Sequence, residues 1–184
     1  MVSPMSTSIL LGAFTLFHVA ISLVGIVAGF VAVFGMLGSK LEAGWTKLFL
    51  WTTLATSVTG FLFPYKGFTP AIGTGIVALI VMAPTFFALY TRKLAGFWRP
   101  TYVIGAVISL YLNFFVLVVQ SFLKIPVLKA LAPTQKEPPF AIAQGLALLA
   151  FVGLGIAAAI KFKPASPQAR GDQSQGFTGS RSHG

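Results

Sequence analysis

Apolar residues gather along this chain in long blocks rather than alternating. The blocks run from about residue 9 to 38, 45 to 63, 71 to 91, 101 to 123 and 140 to 160. A membrane-crossing helix needs about 20 mostly apolar residues, and each block is near or above that length. Prolines punctuate the pattern: Pro64 follows the second block, Pro100 and Pro126 bracket the fourth, and Pro138 and Pro139 open the fifth. The pattern predicts an all-α integral membrane protein, a five-transmembrane-helix bundle forming one domain over residues 1–162. The first block is longer than a crossing requires, which predicts tilt or protrusion. Pro84 inside the third predicts a kink. The leader "MVSPMSTS" carries no Lys or Arg. The apolar stretch behind it is about twice the length of a signal-peptide core, so it reads as a retained span. From residue 163 to 184 the chain turns rich in Gly, Ser and Gln. Such a segment buries too little to offset its ordering entropy, and it reads as a disordered tail. His183 belongs to it.

Composition agrees with this pattern. Hydrophobic residues make up 56% of the chain and charged residues 9%, against about 25% charged in soluble domains. The net charge of +10 does not imply nucleic acid, because the cations fall in short connections between apolar blocks; the bilayer is the partner the sequence implies. Five crossings put Lys40, Lys47, Arg92, Lys93, Arg99, Lys161, Lys163, Arg170 and Arg181 on one side. Lys66, Lys124, Lys129 and Lys136 fall on the other. Basic residues favour the cytoplasm, which predicts the N-terminus outside and the C-terminus cytoplasmic. Trp45 and Trp98 then sit at the cytoplasmic interface.

Several chemistries are excluded. The absence of cysteine removes disulfides and thiolate metal sites. Glu42, Glu137 and Asp172 all fall outside the apolar blocks, so no span offers a carboxylate for a proton relay. No phosphate loop, HExxH or Ser-His-Asp set is present. No catalytic or metal-ligating set emerges, the cofactor stays unknown, and an enzyme is the less favoured class.

Polar residues inside the blocks carry what chemistry there is. In "LNFFVLVVQSFLK", Asn113, Gln120 and Lys124 fall within about 20° of one helical face. His18, Ser22, Gly25 and Gly29 share a face of the first block, whose small residues admit a close neighbour. Gln144 shares a face with Phe151 and Gly155. Thr52, Thr56 and Thr59 form a row in "TTLATSVTG". At about 1.5 Å rise per residue, His18, Thr56 and Asn113 lie roughly 10–15 Å below the outer edge, and Gln120 and Gln144 about 5–6 Å. These five residues form a polar layer in the outer half, with Lys124 and Lys129 at its mouth. One reading makes the layer a ligand site with His18 close to Asn113. Another makes the amides interhelical links. The outer connection, likewise, is either a lid or a basic loop on lipid phosphates.

The His-bearing first block, "TSVTGFLFP" and "YLNFFVLVVQSFLKIPVLKALAPTQKEPPF" together resemble a group of small bacterial inner-membrane proteins with no established activity. The likeness spans about residues 14–160. It implies a multi-pass protein of the bacterial inner membrane and assigns no site residue. Three functional readings stay open. The first is binding or moving an apolar or weakly polar molecule, quinone- or lipid-like. The second is an accessory subunit, in a homo-oligomer or with a membrane-protein partner. The third is a haem- or quinone-linked redox protein using His18.

Overall fold

The computed structural model describes residues 4–64, 67 and 70–163, and the described residues form helices without strands. Residues 164–184 of the tail expected to be disordered lie outside them, as does Lys66, while Lys163 at its start is described. Four helices are long and apolar enough to cross a membrane, at Ser8–Leu37, Ala71–Thr91, Trp98–Lys124 and Pro138–Lys161. The elements in order are α1 (Pro4–Leu37), α2 (Ala43–Gly60), α3 (Pro70–Phe86), a π-helical turn (Phe87–Thr91), α4 (Trp98–Lys124), α5 (Pro126–Leu131) and α6 (Pro138–Lys161). The second apolar block is thus an 18-residue helix that does not reach the hydropathy of the other four. Five of its residues are threonine.

Local chemistry sets the boundaries. α4 ends at Lys124 because Pro126 forces Ile125 into extended backbone, φ −86° and ψ 117°. Pro126 and Pro138 then begin α5 and α6, where a missing N–H costs nothing. Pro84 does not stop α3. Its missing N–H leaves the Ile80 carbonyl, four residues back, without its helical donor; past Phe86 the helix widens into the π-helical turn, where Arg92 N–H bonds Phe87 O at 3.0 Å.

α1 and α2 form an antiparallel hairpin held close by glycines. A Cβ on Gly29 would stand 2.6 Å from Leu110 Cδ1 and 2.8 Å from Phe49 Cδ2, and one on Gly35 2.8 Å from Glu42 Cγ. At Gly105 a Cβ would collide with the Thr85 hydroxyl, so α3 and α4 also meet backbone to side chain. Around these contacts Val33, Met36, Phe49, Leu50, Tyr102, Val103 and Leu110 are fully buried. This tight core occupies the half of the bundle carrying Lys40, Lys47, Arg92, Lys93, Arg99, Lys161 and Lys163. There Lys163 N–H bonds Ser39 Oγ at 2.7 Å, tying the end of α6 to the α1–α2 connection.

The outward surface is apolar. Leu16 is 72% exposed, Leu149 69% and Phe97 78%. An outer surface this apolar is compatible with a lipid surround, where such side chains lose nothing by exposure.

Candidate functional site

At the other end of the bundle the packing opens. α2 finishes there, α3 begins, and the last turns of α4 pass between α1 and α3. A cavity of about 100 Å³ lies between them, lined by His18, Ser22, Thr56, Gly60, Phe61, Thr74, Gly75, Ala78, Leu112, Asn113, Val116 and Gln120, among others. A single water needs about 10–15 Å³ by a comparable measure. The cavity is therefore large enough for several waters or a small organic group.

His18 Nδ1 lies 2.8 Å from Thr59 Oγ1. The same hydroxyl oxygen lies 2.7 Å from the Ala55 carbonyl oxygen. A carbonyl cannot donate, so the Thr59 proton points to Ala55, and the hydrogen towards Thr59 must be carried by Nδ1. In the neutral ring this fixes the tautomer: Nδ1–H donates to Thr59, and Nε2 is left as a bare acceptor. The Phe63 ring meets the imidazole edge-on, with centroids 5.1 Å apart. A Cβ on Gly60 would stand 3.8 Å from His18 Cε1, an ordinary contact distance, so the ring lies close to α2 at that turn.

Asn113 is buried, and its Nδ2 donates to Thr53 Oγ1 at 3.0 Å. His18 and Asn113, expected to lie close together, both line this cavity. Their polar atoms, however, are held by different threonines of α2, and not by each other. The reason is register: the glycine contacts of the hairpin set Thr59 beside His18, and Thr53, six residues back, faces α4 instead.

Thr56 stands apart from the other threonines of α2. Thr52 and Thr59 bond back to the carbonyls of Leu48 and Ala55. Thr53 accepts from Asn113, and Thr46 meets Tyr102 Oη at 3.5 Å. The Thr56 hydroxyl is buried with no hydrogen-bond partner. An unsatisfied buried hydroxyl costs about 1–3 kcal/mol.

Gln120 lies on the cavity wall. Gln144 does not. It sits on α6, and its Nε2 donates to Phe115 O at 3.2 Å, while its Oε1 is buried and unpartnered. Phe115 is two residues beyond Asn113, about 200° around α4, so Gln144 approaches that helix from the opposite side. Lys124 and Lys129 are exposed at the cavity end, and Lys124 is near enough to act electrostatically on His18. The connection after α5 is pinned down: Gln135 Nε2 donates to Val119 O at 2.9 Å and Ala132 is buried.

Sequence reasoning missed the contribution of α3. Ala71, Thr74, Gly75 and Ala78 complete the cavity, and the Phe61 ring packs 3.0 Å from where a Gly75 Cβ would be. The signal was present as small residues at spacings of three and four. It was masked by the high hydropathy around them. Among known proteins, the chain matches no family model, no curated protein and no solved structure.

Proposed function

We propose that the chain is a five-span protein of a bacterial inner membrane, N-terminus outside, that binds a small apolar or weakly polar molecule, quinone- or lipid-like, in the cavity. One observation carries the binding reading. The cavity brings His18, Asn113 and Gln120 together beside Thr56, whose hydroxyl is buried and unsatisfied. Groups placed only to join helices would be expected to satisfy one another. α2 counts as the fifth span because it runs antiparallel along α1 and turns Thr46, Thr53 and Ser57 inward, where they are buried. Its low hydropathy then reflects residues that face protein rather than lipid. The orientation rests on the concentration of basic residues at the end away from the cavity.

Two experiments test this. A reporter active only in the cytoplasm is expected to work when fused after Ile160 and to be silent between Lys124 and Pro139. The reverse pattern overturns the orientation. Protein purified in mild detergent is expected to yield one apolar compound to organic extraction in stoichiometric amount. Ala78→Leu, which fills the cavity, is expected to lose it; no such compound, or one retained by the variant, overturns the binding reading. The accessory-subunit reading has its own support in a groove of about 290 Å³ between α4 and α6, lined by Ile104, Ile108, Leu148, Val152 and Ile156 among others.

A further inference from the structure

The hydrogen-bond pattern around His18 restricts what the cavity can hold. Thr59 takes the Nδ1–H, and Thr59's own proton is committed to Ala55 O at 2.7 Å. The nitrogen left for a ligand, Nε2, presents a lone pair and needs a donor. The spans carry no Asp or Glu, so a cationic donor would stand uncompensated beside Leu112, Val116 and Phe61. A ketone, ester or ether would set its lone pair against that of Nε2. A neutral hydroxyl meets both requirements. It donates to Nε2, and its oxygen can accept from Thr56, which lines the cavity and whose hydroxyl lacks a partner.

We infer that the cavity selects an apolar molecule bearing a hydroxyl group, with the O–H donating to His18 Nε2. A quinone-like ligand would accordingly be held in its reduced, hydroxyl-bearing form. Thr59 is a positioning residue, acting through the tautomer it imposes. The inference rests on the cavity being a ligand site, and the test separates the two. The shared chemistry has two sources, an aromatic hydroxyl and an aliphatic lipid alcohol, and the probes distinguish them.

The full chain, purified through a tag without histidine and carrying His183→Ala, retains one imidazole. Nitrogen NMR then reads both ring nitrogens of His18 directly. Without ligand, Nδ1 is expected protonated and Nε2 bare. Four probes are titrated: para-ethylphenol and its methyl ether para-ethylanisole, and hexanol and methyl hexyl ether. Each hydroxyl compound is expected to move the Nε2 resonance and to bind about three- to tenfold more tightly than its ether, the usual range for one neutral hydrogen bond. The tighter of phenol and hexanol identifies the source. Thr59→Val is expected to bring the hydroxyl-to-ether ratio towards one, whereas a purely structural role would weaken both members of a pair alike. Equal binding of hydroxyl and ether, or a neutral ring protonated at Nε2, overturns the hydroxyl selectivity and leaves the site standing. Binding of none of the four overturns the site as well.

Discussion

Two of the hollows among the described residues differ in both size and chemistry. The one between α1, α2, α3 and α4 holds about 100 Å³ and is edged by His18, Thr56, Asn113 and Gln120. The other, between α4 and α6, holds about 290 Å³ and meets aliphatic side chains, Phe151 and Tyr111. In water the larger apolar hollow would be the more eye-catching. In a bilayer it is ordinary, because an acyl chain fills it with no loss of hydrogen bonds. An acyl chain in the smaller hollow would leave Nε2 and the Thr56 hydroxyl unsatisfied, at about 1–3 kcal/mol for each buried group. Inside a membrane, polarity marks a site better than volume does.

The comparison breaks most completely if the core supporting both hollows is disturbed. Gly29→Leu places a side chain where Leu110 and Phe49 already are. It is expected to destabilise the protein by about 1–3 kcal/mol or more, seen as a lowered unfolding temperature in detergent, with probe binding lost as well. A variant as stable as the parent would mean that the close α1–α2–α4 approach is not what holds the bundle together.

Filling each hollow in turn sharpens the contrast. Ala78→Leu is expected to weaken para-ethylphenol binding at least tenfold. Ala159→Leu, in the apolar groove, is expected to leave it unchanged. Calorimetric titration of the two variants measures this, and equal losses would erase the distinction between the hollows.

Smaller effects separate the two amides. Asn113→Ala and Thr53→Ala should each destabilise the protein, and the double variant should cost less than their sum. The expected coupling is about 0.6–2 kcal/mol. Gln144→Leu removes one hydrogen bond but also the unpartnered Oε1, so its effect is expected to stay within about 1 kcal/mol. A large loss at Gln144 would place it on a par with Asn113.

The smallest effect lies in the connection beyond α5. Burial works against the charge on Glu137, but hydrogen bonds from the Thr134 hydroxyl, its own N–H and those of Thr134 and Lys136 outweigh it. The carboxyl is thereby held below its usual value. Its contribution is present above the unfolded carboxylate pKa and is lost as pH falls through the depressed folded value. Amide exchange at Thr134 and Lys136 should therefore quicken in acid while the helices stay protected; acid-insensitive exchange would sever this link.

Local sequence accounts for the helices. Long apolar blocks select helical backbone, and Pro126 and Pro138 stop and restart it through local sterics that no neighbour has to supply. It also determined which residues share a face, because helical phase follows from the rise and twist of a single chain. His18, Asn113 and Gln120 were legible as inward-facing for that reason. What one helix presents says little about what meets it. Helix packing is what gives the His18 hydrogen to Thr59 and that of Asn113 to Thr53, and what closes the cavity with α3. It also placed Gln144 on the far side of α4. These outcomes depend on how close the helices come, which is set where Gly25, Gly29 and Gly105 let a neighbour in. A shift of one residue at those contacts would change every partner in the cavity while leaving each helix as it is.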